Sequence, residues 1–142
     1  MGIVVPMQTL RHVVIGTDFS ACADRALAVA VALAAAAGAR LTLVHVREPG
    51  LDDTDEERLA QCEEKLTAIA ARHRVEIARV LRFGRPWEKL ENVATEVGAG
   101  LIVVGRHGAG HGRPLGSVAA LLLRTSSRPV LTVPEDQLSE TA

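Results

Sequence analysis

Short apolar runs alternate with longer amphipathic or alanine-rich stretches from residue 12 to residue 133, and this predicts strands and helices in turn. Residues 12–17 (HVVIGT) read as a first strand. Ser20 is suited to cap the helix that follows, and the Ala/Leu/Val-rich stretch to Ala37 stops at Gly38, a residue suited to a left-handed C-terminal position. Residues 41–46 (LTLVHV) form a nearly continuous apolar run, as a strand buried on both faces should. An acidic turn at 52–55 precedes a helix to about His73, with Arg72, His73 and Arg74 near its negative end. Residues 75–83 (VEIARVLRF) alternate and predict a third strand near a sheet edge. After Gly84, Pro86 suits a first helical turn, and that helix runs to about Gly98. A fourth strand at 101–104 (LIVV), a glycine-rich loop at 105–116, a helix at 117–126 and a fifth strand at 129–133 complete the series. Strands alternating with helices in this way indicate an α/β fold, a parallel sheet covered by helices on both faces.

The 142 residues suit one domain, with a core at about 12–134 and polar termini. Apolar residues at 48% and charged residues at 23% are ordinary for a globular chain and argue against disorder. The net charge of −1 offers no general attraction to nucleic acid or anionic lipid. Phe19, Phe83 and Trp87 are the only aromatics, too few to stack single-stranded bases, so nucleic acid is not an expected partner. Cys22 and Cys62 lack CxxC spacing and read as reduced packing residues. The patch at 3–5 is broken by Pro6 and too short for a signal sequence. The longest apolar run, 26–37, is too short to span a bilayer, and Pro6 stands where a myristoylation signal needs Ser or Thr. A cytoplasmic location without membrane attachment is expected.

The chemistry is concentrated in residues 105–117, GRHGAGHGRPLGS, where five glycines follow a buried strand. Glycines allow close backbone approach and positive φ, and successive N–H groups can form an anion-binding nest. Ser117 would open a helix whose N-terminal N–H groups face the same space. Arg106, His107, His111 and Arg113 add donors, so the loop is suited to phosphate. It can also be read as an ordinary surface connection. In an open α/β sheet, ligands sit beyond the carboxyl ends of the strands where strand order reverses, which brings the loop after the first strand into play. There Asp18 could accept hydrogen bonds from a ribose, hold a divalent ion against phosphates, or simply cap the helix or serve a solvated turn. His107 and His111 lack helical geometry and a third ligand, so no metal site is expected.

Three better-known phosphate sites do not fit. A Walker loop needs Lys before Ser or Thr, but Leu115 precedes Gly116 and Ser117. A dinucleotide fingerprint needs GxGxxG after the first strand, where only Gly16 stands. A receiver domain needs an Asp ending strand three and a Lys ending strand five; these strands end at Phe83 and Val133.

Residues 12–134 resemble the universal stress protein family. The resemblance lies in VIGTDFS at 14–20, LVHV at 43–46, GRP at 84–86, LIVVGRHG at 101–108, LGSV at 115–118 and RPVLTV at 128–133. It implies a Rossmann-like five-stranded parallel sheet in the order 3-2-1-4-5 with two helices on each face, usually assembled as a homodimer. Nucleotide-binding members carry GxxGx(9)G[ST]. Carried over to this chain, Gly105, Gly108, Gly116 and Ser117 take the phosphate-cradling positions, flanked by Arg106, His107 and Val118. Asp18 takes the acidic position near sugar and phosphates, the Val46 backbone reads the adenine edge, and Gly16 lines the same pocket. Seven residues, 109–115, stand between Gly108 and Gly116 where the pattern has nine. That difference could suit the cradle to fewer phosphates or remove binding. Gly100 replaces an acid common before strand four, which affects a turn.

The expected function is an adenine-nucleotide-binding stress-response and signalling protein, its ligand ATP, ADP or AMP, with Mg as a possible companion. The alternative is a dimeric interaction module of the same family that binds no nucleotide. An enzyme is not expected, because the loop holds no Lys to stabilise phosphoryl transfer, although slow hydrolysis stays open. The homodimer is expected to join through strand 129–133.

Overall fold

A computed structural model describes residues 10–48, 56–108 and 115–135. The elements follow in the order β1 (His12–Gly16), α1 (Ala21–Ala37), β2 (Arg40–Arg47), α2 (Glu56–Ala71), β3 (Ile77–Phe83), α3 (Pro86–Val97), β4 (Leu101–Gly105), α4 (Ser117–Thr125) and β5 (Val130–Val133). The strands form one sheet in the order β3-β2-β1-β4-β5, and every pairing is parallel.

Val13, Val14 and Ile15 on β1 are fully buried, because helices cover both faces of this central strand. Their alternate side chains belong to two cores. Val13 and Ile15 pack with Leu27 and Ala30 of α1 and with Leu66 and Ile69 of α2. Val14 packs on the other face with Leu90 and Val93 of α3 and with Ala119 and Leu122 of α4. The alanine face of α1 keeps side-chain volume small, and Ala26, Ala30 and Ala34 are all buried there.

Local signals set most ends. Ser20 Oγ accepts a hydrogen bond from Ala23 N (3.1 Å), and Gly38 closes α1 at φ 68°. Pro86 opens α3. Two expected ends shift. β3 starts at Ile77 rather than Val75, because pairing begins at Leu41 with Ile77 and Val75 is left 38% exposed. α2 ends at Ala71, so Arg72, His73 and Arg74 follow the helix instead of filling its last turn. The acidic residues 52–55 lie outside the described residues.

The topology makes the crevice. From β1 the chain leaves through α1 on one face toward β2, and from β4 it leaves through α4 on the other face toward β5. The two connections diverge beyond the carboxyl ends of β1 and β4, which opens a space at the reversal of strand order. Among the described residues no helix is long and apolar enough to cross a membrane.

Candidate functional site

That space is a cleft of about 270 Å³, near the small end of ligand sites, which run from roughly 300 Å³ upward. Its floor is apolar, with Val44 of β2, Val104 of β4 and Leu90 of α3. Nine of the ten residues singled out in the sequence line it: Gly16 and Asp18 after β1, Val46 on β2, and Gly105, His107, Gly108, Gly116, Ser117 and Val118 around the glycine loop. Arg106 does not line it; its exposed side chain leaves the wall to the neighbouring glycines. Residues 109–114, with His111 and Arg113, lie outside the described residues.

The glycines act by close approach rather than by unusual backbone. Positive φ among the described glycines occurs at Gly38, Gly84 and Gly98, so Gly105, Gly108 and Gly116 do not need glycine for that reason, contrary to the sequence expectation. A Cβ on Gly105 would sit 3.0 Å from Cys22 Sγ and 3.2 Å from the Cys22 backbone, where β4 abuts the start of α1. One on Gly116 would sit 3.1 Å from His107 Cα, because Gly116 N donates to Arg106 O (2.8 Å) and brings the two ends of the loop together. One on Gly108 would sit 2.5 Å from Asp18 Oδ2. The two loops therefore meet across the cleft at Gly108 and Asp18.

Gly116 is the N-cap of α4 and supplies no side-chain hydrogen bond to the first turn. The N–H groups of Ser117, Val118 and Ala119, all at the cleft wall, thus carry the positive end of the helix dipole into the cleft. On the opposite side, Thr17 N donates to Val44 O (2.8 Å), and Gly84 N to Arg47 O (2.9 Å). Strand polarity alternates, so Val46 directs its N–H and C=O the same way as Val44, toward β1. The β1–β2 register ends at Gly16 with Val44, which leaves the polar groups of Val46 facing the cleft.

Asp18 is exposed, and its Oδ1 accepts from Ser20 N (3.0 Å). The cap of α1 is Ser20, not Asp18. The carboxylate therefore braces a turn while its other oxygen faces Gly108. His107 Nδ1 lies 3.3 Å from Gly108 O, within the loop itself.

Sequence reasoning missed Thr17 and Phe19. Thr17 lines the cleft and its Oγ1 accepts from Phe19 N (3.0 Å). Phe19 has φ 66°, the left-handed region that a bulky residue rarely enters. No residue pattern in the sequence flags that conformation. Glu48 at the mouth was missed as well, since it lies outside every motif. Among the described residues, no group of three or more His, Cys, Asp or Glu is arranged to hold a metal.

Residues 9–134 match the model of the universal stress protein family. Curated universal stress proteins of Mycobacterium tuberculosis and Mycobacterium bovis are each 34% identical over 140 residues, covering 90% of this chain. The chain spans about half their length (47%). A solved universal stress protein in complex with cAMP is similar at 31% identity and TM-score 0.72, covering 91% of this chain and all of that one. The universal stress protein of Archaeoglobus fulgidus in complex with dAMP is similar at 26% identity and TM-score 0.71, over 89% of this chain and 99% of that one.

Proposed function

The chain belongs to the universal stress protein family, and on that premise we propose that it is an adenine-nucleotide-binding stress-response and signalling protein. The observation that carries the reading is the convergence of residues 16–18, Val46, Gly105, His107, Gly108 and 116–118 on one cleft with an uncapped helix N-terminus in its wall. In this reading the adenine edge meets the N–H and C=O of Val46, the pairing that a purine's ring nitrogen and amino group can make. The ribose lies near Asp18. Phosphate lies against Gly105, Gly108 and Gly116 and the first N–H groups of α4, where backbone donors and the helix dipole favour negative charge.

The loop's two missing residues argue for few phosphates. The relatives solved with cAMP and dAMP each hold a ligand with a single phosphate, and the small cleft suits the same size. AMP should therefore bind at least as tightly as ATP. Mg would enter with a longer nucleotide, held mainly by phosphate and water oxygens, with Asp18 beside them. The role is binding rather than turnover: the loop contains no Lys, and ATP hydrolysis should stay below about 1 s⁻¹ at saturation. Assembly is through the edge strand β5, as a homodimer.

Denaturing the purified protein and identifying the released small molecule tests the reading, with calorimetric titration of AMP, cAMP and ATP alongside. An adenine nucleotide near one per chain, or saturable binding of AMP, is expected. No released nucleotide and no heat with any of the three would instead leave a dimeric interaction module without nucleotide.

A further inference from the structure

The turn after β1 straddles the end of the sheet. Asp18 faces the cleft on one side, while Phe19 packs on the opposite face against the core shared by α1 and α2. Two contacts from His45 hold this turn from behind. His45 Nδ1 lies 2.8 Å from Thr17 O, and the His45 ring lies 4.3 Å from that of Phe19 at an interplanar angle of 35°. Lys65 of α2 adds a cation 5.2 Å from the Phe19 ring centre.

The backbone conformation of the turn needs such support. Phe19 at φ 66° is costly for an aromatic residue and persists only where its surroundings over-determine it. Thr17 O, held by His45, and Phe19, in tilted ring contact with His45, flank Asp18 directly. The Asp18 carboxylate is then fixed by Ser20 N (3.0 Å) and brought against Gly108. If the turn relaxed to negative φ at Phe19, the Asp18 side chain would swing relative to Gly108 and the α4 N-terminus. His45 is not a wall of the cleft.

We propose that His45 is a positioning residue for the nucleotide site, clasping the turn at 17–19 from the far face of the sheet so that Asp18 meets the ligand in a fixed place. The proposal rests on the nucleotide reading above. Because Thr17 O can only accept, the neutral ring must carry its proton on Nδ1. Burial, the largest influence, holds the His45 pKa below its ordinary value; Arg47 and Lys65 push the same way, and the Thr17 carbonyl and Asp18 oppose them. The clasp therefore works with a neutral ring near pH 7.

A double-mutant cycle with AMP as the probe tests it. His45→Ala should weaken AMP binding about five- to tenfold, the worth of one hydrogen bond's positioning, and should lower hydrogen-exchange protection of the Ser20 amide in the nucleotide-free protein. Phe19→Gly, which accepts the same φ without the ring, should weaken binding by a similar factor. His45→Asn, which can still donate to Thr17 O, should recover part of the affinity. In an Asp18→Asn background, His45→Ala should add little, because both act through the same carboxylate. Full additivity, or unchanged AMP affinity and Ser20 protection in a folded His45→Ala protein, would overturn the proposal while leaving the nucleotide site standing. A parent protein that binds no adenine nucleotide would overturn both.

Discussion

At Gly108 the missing side chain leaves room for a carboxylate, not for an unusual backbone angle. Gly108→Val would drive a side chain into Asp18 Oδ2, the far end of an exposed side chain whose displacement leaves the core untouched, so the domain should stay folded while the site loses its geometry. The expected outcome is an unchanged urea midpoint and AMP affinity reduced at least about tenfold by calorimetry. Asp18, Gly108 and the glycines around them were legible in the sequence because their motif is local and ordered. Phe19 and His45 were not: a left-handed aromatic and a ring packed behind it depend on contacts between β2 and the β1–α1 turn, which no spacing rule encodes. The same histidine sets a pH dependence. His45, and the partly buried His12 beside Arg40, both hold folded-state pKa values below the ordinary one. The unfolded chain therefore takes up protons first as pH falls. Stability should be full above about pH 6.5, decline as pH drops through it, and level off once the folded rings also protonate. Urea melts between about pH 7.5 and 5.5 should show a smaller decline in His45→Asn than in the parent.

At the level of the element, two of the helices that border the cleft, α1 and α4, begin differently. α1 has the Ser20 side chain on Ala23 N, whereas α4 has a glycine cap with no side-chain bond. The first is a stability device, and Ser20→Ala should cost about 1 kcal/mol, read as a lowered urea midpoint without a change in slope. The second leaves donors directed at the cleft. Strands β1, β2, β4 and β5 were readable from their apolar runs, and Gly38 and Gly98 marked the ends of α1 and α3. The start of β3 was harder to place, because Val75 continues the alternation while only Ile77 finds a partner on β2. Where the apolar pattern outruns the pairing, composition misplaces the boundary.

Across the whole molecule, β3 and β5 are the edge strands of the sheet among the described residues. Pro129 O and Val133 O accept from Ile102 N and Arg106 N, so the alternate residues Val130 and Thr132 direct their backbone groups away from β4. Leu131 and Val133 pack inward on the α1 face, and Val130 packs on the other. Thr132 therefore offers a clean test of the proposed dimer: Thr132→Pro deletes an outward N–H, spares the bonds to β4 and suits an edge position. Sedimentation at micromolar concentration should give a dimer for the parent and a monomer for the variant. A parent that sediments as a monomer, or a Thr132→Pro dimer of undiminished strength, would exclude this edge. The strand order also has a consequence in time. Val13 meets Leu41 on one side but Leu101 on the other. At roughly 5–20 residues per second of synthesis, β1 would emerge and find β2, then wait several seconds with its second apolar edge bare until β4 leaves the ribosome. The strand buried most completely in the finished protein is thus the one with most to gain from a chaperone while the chain is being made.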